Sequence, residues 1–245
     1  MNLLFDIGNT RIKAATLDGG RLTSLSAANT NPAEALPNDW TLECKPASVW
    51  ISSVAGAEVT ERIAAWVDKT WRVDVQQIEV LQDRGGVHTQ YSDPTQLGVD
   101  RWLAAIGGYH LAGKHGACVI DAGTALTVDV VDEQGIHRGG LIAPGLGLMI
   151  ESLTKQTAQL ALENISVPDI FATNTEAAIS LGCADYIAGM IDRVNQRILE
   201  QDLAISHWYS TGGQGEMVMA LSNLTFELVP DLVLRGMAIV VDELS

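Results

Sequence analysis

Two short segments carry residue types suited to handling a polyphosphate: Asp6-Ile7-Gly8-Asn9-Thr10 and Asp121-Ala122-Gly123-Thr124. Each combines a carboxylate, a glycine and a hydroxyl. The glycine removes a Cβ, so phosphate oxygens can approach backbone N–H groups. The threonine adds a donor, and the aspartate can hold a cation or its water shell. Such turns also serve as plain punctuation between strands, so a single copy says little. The two copies share their surroundings, however. Each follows an apolar run that predicts a buried strand, Leu3-Leu4-Phe5 and Cys118-Val119-Ile120. Each leads into an alternating strand, with Ile12, Ala14 and Thr16 on one face in the first copy and Leu126, Val128 and Val130 in the second. A turn follows, Asp18-Gly19-Gly20 or Asp132 to Gly135, and then a return strand, Arg21 to Leu25 or Ile136 to Ile142. A unit built twice, with a phosphate-type turn in each copy, predicts two similar domains facing one cleft.

The elements that must position these turns follow along the chain. Asn29 to Lys45, with Pro32 and Pro37, reads as a loop with one short helix around Ala33 to Leu36. Ser48 to Ser53 is a strand. Val59, Ile63, Trp66, Val67 and Trp71 then recur at helical spacing, and Val73 to Val80 follows as another strand. From Leu81 to Leu97 the pattern dissolves into an irregular segment with Gly85-Gly86, His88, Tyr91 and Pro94, a candidate binding loop. A helix begins at Gly98-Val99-Asp100-Arg101 and ends at Gly113 and Gly116, which mark a domain boundary. The expected domains are therefore 1–114 and 115–245. In the second half, Pro144-Gly145 turns into a helix carrying Leu148 to Leu153, and polar and small residues lead on to Pro168. Asn174 with Glu176 predicts the capped start of a helix running to about Leu199. His207 to Ser210 is a strand that delivers Thr211-Gly212-Gly213-Gln214-Gly215, a glycine-rich turn available as a third wall near a nucleoside. After Phe226 to Val229, Leu232 to Val241 closes the chain as an apolar helix.

Composition narrows the partners. The 245 residues allow one large or two ordinary domains. The formal charge of −15 argues against nucleic acid or an anionic membrane, either of which calls for clustered Lys and Arg. An anionic substrate must instead be held by local devices: backbone N–H groups, a few basic side chains and bound metal. Cys44, Cys118 and Cys183 have no metal-type spacing and read as reduced thiols. The start lacks a signal-peptide pattern and no run is long enough to span a bilayer, so a cytoplasmic protein is expected. Walker, dinucleotide-binding, zinc and nucleophile-elbow motifs are all absent from the sequence.

Taken together in this order, D-I-G-N-T at the start, G-V-D-R at 98–101, D-A-G-T-A at 121–125 and T-G-G at 211–213 resemble the type III pantothenate kinases, also called Bvg accessory factor homologues. The resemblance spans essentially the whole chain. It implies an α/β fold of two ribonuclease H-like domains, the architecture of the acetate kinase, sugar kinase, Hsp70 and actin superfamily, with ATP in the cleft between them. It also implies a homodimer that phosphorylates pantothenate to 4'-phosphopantothenate, the first step of coenzyme A biosynthesis, using Mg²⁺ and a monovalent cation, K⁺ or ammonium. Carried over by position, Asp6, Ile7, Gly8, Asn9, Thr10, Arg11, Ile12 and Lys13 resemble the first ATP-binding segment and Thr124 the second phosphate contact. Asp121 resembles the ligand of the monovalent cation, and Asp6 would meet Mg²⁺ through water. Gly98, Val99, Asp100 and Arg101 resemble the pantothenate signature, with Asp100 as catalytic base and Arg101 on the substrate carboxylate. Tyr91 matches an aromatic of the substrate pocket, and Thr175 a substrate contact near the dimer interface.

The chemistry makes independent sense of these types. A primary hydroxyl is a poor nucleophile, and a carboxylate in hydrogen-bond reach can orient it and accept its proton late in a loose phosphoryl transfer. Arginine offers a planar fork for a carboxylate. Each pick also has a plainer reading. Asp100 and Arg101 fit a solvated first-turn acid beside a surface base, Tyr91 fits a lid over a core, Thr175 fits a helix cap, and Lys13 fits a solvent-facing strand position. The five histidines are assigned no role. Two other functions fit the same residues: a kinase of another small hydroxy acid, and a nucleotide-binding accessory protein that influences transcription.

Overall fold

The computed structural model describes residues 1–31, 33–154 and 170–244. Pro32 in the early loop and the stretch leading to Pro168 lie outside them. The first sheet holds β1 (Asn2–Ile7), β2 (Arg11–Asp18), β3 (Arg21–Ser24), β4 (Ala28–Asn29), β5 (Ser48–Ser53) and β6 (Val75–Gln77), in the order β3-β2-β1-β5-β6 with β4 on β2. The second holds β7 (Asp83–Arg84), β8 (Val87–Thr89), β9 (Ala117–Ala122), β10 (Ala125–Val131), β11 (Ile136–Pro144), β12 (His207–Thr211) and β13 (Glu227–Leu228), in the order β13-β12-β9-β10-β11-β8-β7. The helices are α1 (Ala57–Trp71), α2 (Val99–Leu111), α3 (Leu146–Thr154), α4 (Thr175–Glu200), α5 (Gly215–Leu221) and α6 (Leu232–Leu244). Both sheets share one plan. A central strand, β1 or β9, pairs antiparallel with the next strand of its meander and parallel with a later strand, β5 or β12.

Side-chain alternation explains the layers. In β1, Leu3, Phe5 and Ile7 face an outer core with Ile63 and Val67 of α1, whereas Leu4 faces a central core. In β9, Cys118, Ile120 and Ala122 face an outer core with α3, α4 and α5, whereas Ala117 and Val119 face the same central core. That central core is filled by α2 and α6, which therefore lie between the two sheets. A period of two puts Asp6 in phase with Leu4, and Asp121 in phase with Val119, so both carboxylates point inward. The helices cross closely because glycines meet there: a Cβ on Gly107 would crowd the Leu232 carbonyl, and one on Gly236 would collide with the Leu103 carbonyl.

The expected elements appear with some corrections. No helix forms around Ala33 to Leu36. A short 3₁₀ turn at Asn38–Trp40 takes its place, held by Trp40, which is fully buried edge-on to Phe5 and Trp66 and donates from Nε1 to the Ser26 carbonyl. An aromatic anchor, not periodicity, orders that loop. The strand expected over Val73 to Val80 shrinks to β6. The segment Leu81 to Leu97 contains β7 and β8, and β8 pairs in parallel with β11 through His88 and Thr89. The division expected between 114 and 115 separates α2 from β9, while β7 and β8 join the second sheet from before it. Among the described residues no helix is long and apolar enough to cross a membrane.

Candidate active site

The inward carboxylates open onto a cleft of about 510 Å³. Asp6, Gly8, Asn9, Thr10, Arg11 and Lys13 line it from the first sheet, and Asp121 to Ala125 with Thr127 from the second. Asp100 enters from the first turn of α2. Gly147, Leu148 and Glu151 enter from α3, and Gly212 to Gln214 from the turn after β12. The two turns meet. Thr10 Oγ1 lies 3.0 Å from Thr124 Oγ1 across the gap between the halves. Each turn is closed by its own glycine: the Gly8 N–H donates to the Arg11 carbonyl and the Gly123 N–H to the Ala125 carbonyl, both at 2.9 Å.

The cleft gathers negative charge out of water. Burial pushes the Asp6 carboxyl up to about 7; Lys13 pulls it down, and Asp100 and Asp121 push it further up. Burial likewise pushes Asp121 up to about 6, again with Lys13 opposing and Asp100 and Asp129 reinforcing. Asp100 is raised mainly by burial, against the hydrogen bond that its Oδ1 accepts from the Arg101 N–H at 2.8 Å. Three carboxylates thus share one space with Lys13. The Lys13 Nζ donates to the Pro230 carbonyl at 2.9 Å, bridging the first sheet to the start of α6. It faces the cleft, not open solvent.

Glycines shape the same walls. Gly212 has a φ of +82°, and a Cβ there would collide with Asp121 Oδ1 and the Ala122 carbonyl. A Cβ on Gly98 would crowd Asp100 Oδ1 at 2.7 Å. Beside Gly213 and Gln214, a second hollow of about 390 Å³ is lined by Leu146, Ala184, Met217 and Leu221, with Glu216 at its rim.

Of the residues singled out from sequence, Asp6, Gly8, Asn9, Thr10, Arg11, Lys13, Asp100, Asp121 and Thr124 come together in the cleft. Ile7 and Ile12 point their side chains into the outer core and are fully buried. Val99 packs into the central core. Arg101 is 7% exposed, and its fork is already used: Nε donates to Asp129 Oδ2 at 2.9 Å and Nη2 to Asp129 Oδ1 at 2.7 Å. A guanidinium this deep needs a counter-charge, so the free fork expected for a substrate is half engaged by the protein itself. Its Nη1 donates to the Tyr91 hydroxyl at 3.3 Å. Thr175 is exposed and lines a groove with Met149, Ser152, Leu153 and Tyr186, a different hollow from the cleft. Gly212 to Gln214 line the cleft from the turn expected as a third wall, whereas Leu148 and Glu151 were not anticipated, because nothing in their local sequence marks them. Asp129 had a signal: it is a charged residue between Val128 and Val130, in the inward phase of β10.

Known proteins match this chain along its length. Residues 2–197 match the family described as type III pantothenate kinase. The type III pantothenate kinase of Nitrosococcus oceani is 34% identical over 253 residues, covering 100% of this chain and 95% of that one. That of Azoarcus sp. (strain BH72) is 35% identical over 243 residues, covering 98% and 90%. Among solved structures, a conserved Baf family protein from Campylobacter jejuni aligns with a TM-score of 0.63 at 25% identity over 98% of each chain. The activator of 2-hydroxyisocaproyl-CoA dehydratase from Clostridium difficile aligns with a TM-score of 0.54 at 13% identity, over 99% of this chain and 94% of that one, and shares the fold alone. The fold they share is an α/β arrangement of two halves of like plan around one cleft.

Proposed function

The chain belongs to the type III pantothenate kinase family, and from that premise we propose how its residues divide the work of ATP-dependent phosphorylation of pantothenate, the entry to coenzyme A. The observation that carries the division is the meeting of the Thr10 and Thr124 hydroxyls, at 3.0 Å, in a cleft that Asp100 also lines. Thr10, Asn9 and Lys13 take the phosphates from one half and Thr124 from the other. The base of the nucleotide enters the hollow beside Gly213 and Gln214, where Leu146, Met217 and Leu221 offer apolar contact.

Asp100 orients the primary hydroxyl of pantothenate toward the γ-phosphorus and accepts its proton as the bond to the ADP oxygen breaks. Burial holds the Asp100 carboxyl above its ordinary value, which suits a proton acceptor working near neutral pH. Arg101 Nη1 and the Tyr91 hydroxyl meet the substrate carboxylate. Thr175, on the far groove, reaches a substrate from a second copy of the chain. The exposed apolar side chains Phe171, Ile170, Leu153, Tyr186 and Ile142 support a homodimer.

The residues present fit the implied cations. Asp121 is half-buried and its carboxyl raised by desolvation, and beside it in register Thr211 Oγ1 is buried with no hydrogen-bond partner among the described residues. Asp121 and Thr211 would hold a monovalent cation. Among the described residues no three His, Cys, Asp or Glu side chains converge as a metal cage. Mg²⁺ keeps waters and binds mainly through substrate phosphates, with Asp6 as its outer carboxylate. Bound cations supply positive charge against the phosphoryl group in transfer. Use of ATP fits a cytoplasmic location, and the charge of −15 weighs against nucleic acid as a partner.

The test is ATP consumption with Mg²⁺ and K⁺, with and without pantothenate. Wild type turns over only with pantothenate. Asp100→Asn loses about 10²- to 10⁴-fold in kcat while nucleotide affinity is kept. Full kcat in that variant removes Asp100 as the base.

A further inference from the structure

Arg101 belongs to a buried network that the phosphoryl-transfer chemistry does not use. Asp129, 2% exposed, accepts from Arg101 Nε and Nη2 and, at 2.9 Å, from Nε2 of His137, which is fully buried. His137 Nδ1 lies 3.1 Å from Thr89 Oγ1, and that oxygen accepts the Tyr91 N–H at 3.3 Å. The Tyr91 ring stacks on the His137 ring, centroids 5.9 Å apart and planes 18° apart. The Tyr91 hydroxyl returns to Arg101 Nη1. The chain is cut to make room for this loop of contacts, since a Cβ on Gly140 would crowd both Asp129 Oδ1 and Arg101 Nη2. The loop also sits beside the cleft: Thr127 lines the cleft, and Asp129 is the next inward residue on the same strand.

We propose that Asp129 and His137 are positioning residues for the acid end of the substrate. Asp129 takes two of the three guanidinium nitrogens of Arg101, and His137 fixes both Asp129 and the Tyr91 ring. Nη1 and the Tyr91 hydroxyl are then left as a rigid pair, one cationic and one neutral donor, that reads a carboxylate. The network sets the preference for an acid over a neutral substrate of the same shape. Breaking it lets Arg101 swing, which weakens recognition of the carboxylate and leaves the reacting hydroxyl and the triphosphate site as they were. This rests on the pantothenate assignment and on Arg101 meeting the substrate carboxylate.

The experiment compares kcat/KM for pantothenate with that for its analogue bearing a hydroxymethyl group in place of the carboxylate. Both are measured for wild type, Asp129→Asn and His137→Asn, with thermal melting of each protein. In the variants the acid-to-alcohol ratio falls at least 10-fold, through KM for pantothenate, while KM for ATP changes less than about 2-fold. A merely structural role lowers both substrates alike and leaves the ratio unchanged, and that result overturns the proposal. If Asp129→Asn fails to fold, His137→Asn, which keeps Arg101 and Asp129 paired, decides by the same ratio. A wild type that does not prefer the acid at all overturns the substrate reading of Arg101 and the positioning role with it, whereas a preference that survives in both variants overturns the positioning role alone.

Discussion

Asp6 shows how a single side chain links the site to stability. Its carboxyl titrates near 7 when folded, against 3.8 as a free side chain, because burial outweighs the pull of Lys13. Between those values the folded state holds more protons than the unfolded one, so stability falls as pH rises through that window. The full penalty is reached above it and amounts to at most about 4 kcal/mol. Ligand-free Asp6→Asn is therefore expected to be more stable than wild type at pH 8, with little difference near pH 4, as read by urea denaturation at each pH. Parallel curves for the two proteins would show that this carboxyl is not the source. Gly212 makes a second case at this scale. Gly212→Ala forces a side chain onto a left-handed backbone and against Asp121. It is expected to lower stability by about 1–3 kcal/mol and to blunt the response of activity to added K⁺.

Helices α2 and α6 are the elements on which the two halves are mounted. α6 packs on β1 and β2 of the first sheet, α2 packs on β9 and β10 of the second and on β5 of the first, and their close crossing depends on Gly107 and Gly236. Gly236→Ala would push α6 off the Leu103 carbonyl, displacing the first turn of α2 that carries Asp100. The expected result is a loss of about 1–3 kcal/mol in thermal or chemical unfolding, together with a lower kcat. A change in kcat without a change in stability would separate the two. At α4, the Asn174 side chain accepts the Ala177 N–H at 2.9 Å. Asn174→Ala should cost about 1 kcal/mol and leave the cleft unaffected, as the melting temperature and KM for ATP would report.

For the whole molecule, the question is how many chains complete one site. Thr175 lies across α3 from the cleft, and Phe171, 86% exposed, and Ile142, 66% exposed, leave apolar surface uncovered in one chain. Wild type is expected to run as a dimer in light scattering, and the double variant Phe171→Asp with Ile142→Asp as a monomer. The variant is also expected to bind nucleotide normally while losing affinity for pantothenate. An unchanged mass would remove this surface from the interface.

Much of this was legible in the chain. The apolar runs of β1 and β9, the alternation of β2 and β10 and the carboxylate-glycine-hydroxyl turns between them are local patterns, so the twin units and the pairing of Asp6 with Asp121 were readable in the chain. The inward aim of both carboxylates was decided by which face of each sheet the two helices cover. The T-G-G turn and the start of α2 were equally local, because glycines and caps act within a few residues. The engagement of Arg101 by Asp129 and His137, the bridge from Lys13 to Pro230, and the ordering of the early loop by Trp40 were decided only in the folded molecule. Each joins residues far apart in sequence, and each answers a demand that arises only on burial: a counter-charge for a guanidinium, a partner for an ammonium, a core for an indole.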